Sequence, residues 1–348
     1  MARLKQVDCS GPGFRRRRRG RGFEYVDERG ERIASTEVLD RISALAVPPA
    51  WNEVWICPAA NGHLQATGID SASRKQYLYH HQWRERRDQQ KFDDMLAFAS
   101  SLPRMRRRVT AGLRNDDMTR EKVLACAVRL LDCGFFRIGS ESYAERNGSF
   151  GLATMKKAHV HIDGRVIKFD YPAKGGQRRV QSIVDPEVHD IIIRLKQRRG
   201  RGSQLLAYKQ GGRWIEVTSS DVNEYLKAAA GGDFSAKDFR TWNATVLAAV
   251  ALATDGTAST SKTARERAIK HAVEGVAFFL GNTPTVARKS YIDPRVFDRY
   301  RSGWTIGGAV SKTSRALQVG HPAFRGPIER AVLDLLAERR SEALEKAA

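Results

Sequence analysis

Cysteine is scarce in this sequence, long apolar runs are missing, and acidic residues are outnumbered. The four cysteines, Cys9, Cys57, Cys126 and Cys133, show no CxxC or Cys/His spacing, so neither a zinc site nor a disulfide framework is predicted. The longest mainly apolar stretch, residues 244–253, falls well short of the roughly 18 residues a spanning helix needs. A soluble chain without a membrane partner is therefore expected. The first residues carry no apolar core followed by small residues, so no signal peptide is predicted. A cytoplasmic, nucleoid-associated location follows as an expectation.

Basic charge is what the chain has in excess. Sixty Lys and Arg against 39 Asp and Glu leave +21 over 348 residues, a surplus suited to a polyanion because each cation near a phosphate releases a condensed counterion. Residues 1–22 concentrate this charge in Arg15 to Arg19 and Arg21, among Gly11, Pro12, Gly13, Gly20 and Gly22. Such a segment reads as a flexible basic arm, either a solvated tail or a non-specific DNA tether.

The remainder reads as an α+β chain of two domains. Residues 23–92 carry short strand patterns at 53–57, 63–67 and 75–79, separated by turn residues such as Asn61-Gly62. Residues 93–348 read as a larger, mainly helical catalytic domain. Thr119 is placed to cap a helix ending near Gly134, with Val123, Leu124, Ala127, Val128 and Leu131 on its apolar side. A β-hairpin insert follows, its strands at 157–162 and 165–171 flanking Asp163-Gly164, with Lys174 just past the second strand. Further helices are predicted from Asp185-Pro186, from Ser219 or Ser220, and around Phe239 as far as Thr254. Thr263-x-x-Glu266 has the pattern of a capping box for a helix ending at Leu280-Gly281, and Thr283-Pro284 starts the next, with Tyr291 about two turns in.

Nucleotide and metal machinery is not evident. Lys174-Gly175-Gly176 lacks the upstream glycines and the Ser/Thr of a P-loop, so ATP is not implied. The adjacent acids Asp93-Asp94 and Asp116-Asp117 point to different helix faces and form no two-metal pattern, which disfavours a magnesium nuclease. No cofactor is predicted. What remains is a series of separated residues: Arg137 in Arg137-Ile138-Gly139-x-x-x-Tyr143, Lys174, Arg240 in Lys237-Asp238-Phe239-Arg240-Thr241-Trp242, Asn282 and Tyr291. Each alone is an ordinary surface or core residue.

Together, in this order and context, the five resemble the catalytic pentad of type IB DNA topoisomerases, in particular the short poxvirus-like bacterial branch. Pro48-Pro49-Ala50-Trp51, Val54-Trp55-Ile56, Gly62-His63-Leu64-Gln65-Ala66-Thr67-Gly68 and Arg74-Lys75-Gln76-Tyr77-x-Tyr79 resemble that family's N-terminal sheet domain. Asn147-Gly148-Ser149-Phe150-Gly151-Leu152 and Ser290-Tyr291 resemble its catalytic domain, so the likeness runs from about Tyr25 to Tyr300. Two positions depart from the family pattern, Ala173 before the lysine and Ser73 before Arg74, where glycine is usual. Asn282 stands where viral relatives carry His.

The resemblance implies a monomeric clamp around duplex DNA that relaxes positive and negative supercoils without ATP or metal, through a 3′-phosphotyrosine on Tyr291. In that chemistry Arg137 and Arg240 offer always-charged planar forks to the phosphoryl oxygens. Asn282 adds an uncharged donor, and Lys174, an ammonium set among other cations, protonates the leaving 5′-oxygen. Arg74, Lys75, Gln76, Tyr77 and Tyr79, with Lys237, are the candidate DNA contacts, Gln76 suiting an adenine edge in the major groove. Two alternatives stay open. A tyrosine recombinase shares two arginines, a lysine and a tyrosine, but usually carries His-x-x-Arg where Lys237-x-x-Arg240 stands here, and has a helical N-terminal domain. A non-catalytic DNA-compaction protein needs only the charge.

Overall fold

In the computed structural model the described residues are 3–115, 117–200, 202–254, 261–313 and 325–346; Asp116 of the Asp116-Asp117 pair lies outside them. The chain divides into two units, Met1–Asp93 and Asp94–Ala348, with mixed helix and sheet. No helix among the described residues is long and apolar enough to cross a membrane.

The first unit is a five-stranded antiparallel sheet in the order β2-β1-β3-β4-β5, built from β1 (Phe14–Arg19), β2 (Gly22–Val26), β3 (Asn52–Ile56), β4 (Leu64–Ile69) and β5 (Lys75–Tyr79), with one helix, α1 (Thr36–Ala44), capped by Ser35. Alternation along β3 separates two apolar layers. Val54 and Ile56 pack with Ile42 of α1 and Ala66. Trp55 faces the other way, with Cys57 and Leu64, under Val7 and Cys9. A Cβ on Gly13 would stand 2.0 Å from the Trp55 indole nitrogen, so only glycine fits there.

Within the span 1–22, the described residues 3–22 are therefore no arm. Residues 14–19 form β1, paired to both β2 and β3, and Lys5 bridges to Gly62. Five successive arginines make a strand because alternate ones meet different surroundings. Arg15, Arg17, Arg18 and Arg19 are exposed, whereas half-buried Arg16 donates to the carbonyls of Val47, Pro48 and Trp51 and lies 4.2 Å from the Phe23 ring.

The turn from β4 to β5 is organised by Asp70, whose carboxylate accepts from the backbone N–H of Ala72 and of Arg74 and from the side chains of Arg74 and Gln76. Ser73 sits there at φ +58°, the left-handed region in which glycine is strain-free. Ala173, the other departure from the family pattern, has φ −98°, where alanine carries no such strain.

The helix α2 (His81–Leu113) carries the boundary between the units. The second unit continues with α3 (Arg120–Cys133), α4 (Glu141–Asn147), a three-stranded sheet of β6 (Val160–Asp163), β7 (Val166–Pro172) and β8 (Arg178–Ile183), α5 (Pro186–Gln197), the hairpin β9 (Ala207–Gln210) and β10 (Arg213–Glu216), and α6 (Ser219–Ala230). The hairpin expected around Asp163-Gly164 thus has a third strand, and Lys174 lies in the turn that joins β7 to β8. Then come α7 (Ala236–Thr254), α8 (Lys262–Leu280), α9 (Pro284–Ser290), α10 (Pro294–Arg301), β11 (Trp304–Thr305), α11 (Gly307–Thr313), α12 (Pro327–Leu336) and β12 (Glu345–Lys346), which pairs with β11. Helix α8 begins at Lys262, so Thr263 lies inside its first turn and is not its cap.

Helix α7, Ala-rich and buried along most of its length, is the axis against which α3, α6, α8, α10, α11 and α12 pack. A buried ion network ties α2, α3, α7 and α12 around it: Arg106 pairs with Asp132 at 2.8 Å and Glu329 at 2.6 Å, and the Trp242 indole donates to Glu329 at 3.0 Å. Removing one member of such a set leaves an uncompensated buried charge. Arg106→Met is expected to destabilise the protein by about 3–5 kcal/mol in chemical denaturation. Ser73→Gly is expected to do the opposite, by roughly 0.5–1 kcal/mol, because it relieves a left-handed side chain at the cost of a freer unfolded chain.

Candidate active site

The site is assembled around the C-terminal end of α8. Gly281 closes this helix at φ +59° in a Schellman turn: its N–H donates to the Phe278 carbonyl at 3.1 Å, and that of Asn282 donates to Ala277 at 3.0 Å. The carbonyls from Phe278 to Gly281, the first of them shared with the Gly281 N–H, accept from three guanidiniums of three other elements. Arg179 of β8 donates to Phe278 at 2.7 Å and to Phe279. Arg240 of α7 donates to Leu280 at 3.0 Å, and Arg137 to Gly281 at 2.9 Å and to the Asn282 side-chain oxygen. Four consecutive carbonyls at the negative end of a helix thus offset the mutual repulsion of three cations.

Each arginine is presented by a local feature. Helix α3 stops at Gly134, where a Cβ would collide with the Phe136 ring at 2.5 Å. Phe135 then turns the chain at φ +48°, aiming its carbonyl at Arg240, which donates to it at 2.7 Å. Phe136, buried edge-on against Phe169 of β7 at 4.9 Å, anchors the segment that carries Arg137. Beyond it the backbones of residues 137–138 and 152–153 are hydrogen-bonded, Leu152 N–H donating to Arg137 and Ala153 N–H to Ile138, both at 2.8 Å.

Tyr291 follows α9, whose first turn is capped by Thr283. Thr245 of α7, fully buried, accepts from Asp293 N–H at 3.1 Å, and its one hydroxyl proton has the Thr241 carbonyl at 2.9 Å and the Tyr291 carbonyl at 3.3 Å within reach. The same helix carries Arg240, whose guanidinium carbon stands 5.1 Å from the centre of the Tyr291 ring. Burial pushes the Arg240 guanidinium down to about 10, helped by the nearby charge of Arg137; it is still a cation at neutrality. For Tyr291, burial works to raise the phenol, but Arg240, Arg137 and Lys237 outweigh it, and the phenol is held below its ordinary value. Tyr171, near the same arginines, goes the other way. Burial pushes it up to about 12, and its hydroxyl donates to Gln181 at 3.0 Å. Of these two phenols, Tyr291 is the one prepared to ionise.

Three buried side-chain polar atoms among the described residues have no hydrogen-bond partner, and two of them, Arg240 Nε and Asn282 Nδ2, belong to this cluster. Orphaned buried donors cost about 1–3 kcal/mol each, which suits an anion that accepts from them. Lys174 stands apart. It is exposed at the start of the turn after Ala173 and borders, with Arg137, Gly139, Tyr143 and Phe150, a cleft of about 250 Å³. So the structure joins Arg137, Arg240, Asn282 and Tyr291 directly, and brings Lys174 only to a cleft shared with Arg137. Lys237, one turn before Arg240 on α7, is exposed.

The first-unit candidates separate by face. Lys75, Tyr77 and Tyr79 line the exposed side of β5, an edge strand; the two rings stack at 6.1 Å and Lys75 lies 5.8 Å from Tyr77. Gln76 does not share that side. It alternates with Leu78, which packs on the α1 core, and its amide donates to Asp70 at 2.8 Å, as does Arg74 at 2.9 Å. The hydrogen bonds from Arg74 hold the Asp70 carboxyl down at about 2. Arg179 and Thr245 were not evident in the sequence. Arg179 is one of two adjacent arginines in an exposed, polar strand, and Thr245 is an unremarkable position in an apolar helix.

Residues 80–306 match the family model for the catalytic core of eukaryotic DNA topoisomerase I, and residues 22–70 match that for the N-terminal domain of bacterial DNA topoisomerase IB. The DNA topoisomerase 1B of Acanthamoeba polyphaga mimivirus is 28% identical over 295 residues, which cover 83% of this chain and 88% of that relative.

Removing the Arg240 cation is expected to make Tyr291 harder to ionise, returning its phenol pKa upward toward the ordinary range. Tyrosinate absorbance, followed against pH as the difference between proteins with and without Tyr291, should show the Tyr291 step moving to higher pH in Arg240→Gln.

Proposed function

The chain belongs to the type IB DNA topoisomerases, and we propose that Tyr291 is its nucleophile and that Arg137, Arg240, Asn282 and Lys174 complete the reaction centre. The Tyr291 oxygen attacks a phosphorus of duplex DNA. A bond from the phenolic oxygen to phosphorus forms as the bond to the 5′-oxygen breaks, leaving a 3′-phosphotyrosine and a free 5′-hydroxyl. The phenolic proton passes to solvent, and Lys174 delivers a proton to the departing oxygen. Charge gathering on the non-bridging oxygens is met by Arg137 and Arg240, fixed in advance by the α8 carbonyls, so little reorganisation is needed as it develops. The Asn282 amide nitrogen supplies a neutral donor beside them.

One phosphodiester replaces another, so religation is the same reaction reversed and needs no ATP. The guanidiniums supply the cationic charge that a metal provides in other phosphoryl-transfer sites. While the strand is open, its free end turns about the intact strand and torsion of either sign is released. All five residues belong to one chain, in keeping with a monomer, and Lys75, Tyr77 and Tyr79 supply a groove-facing edge for a clamp on the duplex.

The observation that carries this reading is the stacking of Arg240 on Tyr291 while Arg240 and Asn282 keep N–H groups without partners. Supercoiled plasmid in EDTA without ATP should be relaxed by the wild type, and a detergent quench should trap protein on DNA. Tyr291→Phe should lose both yet still bind. A Tyr291→Phe protein that relaxes DNA would refute the assignment; binding without relaxation by the wild type would favour the compaction protein. Arg137→Lys and Arg240→Lys should each slow cleavage about 10²-fold, because one ammonium cannot replace the planar fork.

A further inference from the structure

We propose that Arg179 is a positioning residue for the reaction: by clamping the last turn of α8 it sets the carbonyls that aim Arg240 and Arg137. The inference rests on the role assigned to those two arginines above. Arg179 is the only one of the three guanidiniums that spans two adjacent carbonyls, those of Phe278 and Phe279. The next two, of Leu280 and Gly281, hold Arg240 and Arg137. The order along the backbone matters. Whatever shifts Phe279 moves Leu280 and Gly281 with it, and both anchors of the cationic pair lie in those two peptides.

Gly281 reports how closely Arg179 is built in. A Cβ there would stand 3.2 Å from Arg179 Nη1, a tight contact, while glycine itself is called for by the left-handed conformation of the helix end. The strand that carries Arg179 supports the same geometry. Arg179 pairs with Tyr171 across β7 and β8, so its backbone is held by a ladder and not by a loop, even though β8 follows directly on the Lys174 turn. Half-buried, Arg179 also gives up hydration to reach α8: burial is the main reason its guanidinium is held below the ordinary range. A residue needed only for surface charge would have no reason to make that exchange. The fork geometry further separates Arg from Lys, since two carbonyls one peptide apart need two donors fixed relative to each other.

The test is single-turnover cleavage at saturating duplex with wild type, Arg179→Ala, Arg179→Lys and Arg179→Gln, beside the Kd for DNA on a Tyr291→Phe background and the melting temperature. Arg179→Ala is expected to slow cleavage tenfold or more with Kd within about twofold of the parent. Arg179→Lys, which keeps the charge, should recover less than a third of the lost rate. Should Arg179→Ala fail to fold, Arg179→Gln is read in the same way. A wild-type rate in Arg179→Ala or Arg179→Gln, full rescue by lysine, or a loss no larger than the unfolded fraction would overturn the proposal. A wild type that forms no adduct at all would instead be a failure of the nucleophile assignment.

Discussion

A helix that ends inside a protein leaves its last carbonyls in need of donors. Here the last turn of α8 meets three guanidiniums, and the geometry of the candidate site depends on that match. Arg137, Arg179 and Arg240 come from the segment after α3, from β8 and from α7, elements that no local sequence rule brings together. In isolation their charges repel one another. Set against the negative end of a helix dipole, they become the donors that the helix lacks, so the arrangement satisfies the backbone before any phosphate arrives. The same contacts leave Arg240 Nε and Asn282 Nδ2 buried without partners.

This constraint extends outward into the fold. Helix α7 holds Arg240 and, on the same buried stretch, Thr245, which accepts from Asp293 N–H and lies within reach of the Tyr291 carbonyl; Tyr291 and Arg240 are referenced to one rigid rod. The rod is in turn held by the Arg106, Asp132 and Glu329 network through Trp242. The Phe135 turn, with its positive φ, places a carbonyl on the second half of the Arg240 guanidinium. Strain of that kind persists only where surrounding packing enforces it, and Phe136 buried on Phe169 supplies that packing. The opposite shifts of Tyr171 and Tyr291 then follow from position alone: one phenol is buried and donates to a neutral amide, while the other lies against a guanidinium.

Much of this was readable from the chain, and the failures have physical reasons. Helices α3 and α7 announced themselves through the Thr119 cap, Gly134 and apolar spacing, and β5 through its alternation. Strand β1 did not, because alternation is invisible when both faces carry arginine; only the structure shows that Arg16 finds carbonyls while Arg15 and Arg17 face solvent. Strand β8 was missed for a similar reason: its one apolar outward residue, Val180, stands between polar ones and is exposed, and its single buried residue, Ile183, stands at the end. The approach of Arg137, Arg240, Asn282 and Tyr291 spans more than 150 residues of sequence, and no spacing argument reaches that far. Family likeness selected those residues, and the helix terminus explains why they meet. It is also why Arg179, outside the quoted motifs, became visible only with the carbonyls in view.

Whether this cluster is built to activate Tyr291 is tested most directly by locating the DNA linkage. Adduct trapped on duplex by denaturation would be digested with trypsin and nuclease, and the peptide bearing residual nucleotide identified by mass spectrometry. The expected result is a single modified peptide containing Ser290 and Tyr291, joined through the tyrosine oxygen to a 3′-phosphate. Nucleotide on Tyr171 or any other residue, or a linkage to a 5′-phosphate, would contradict it.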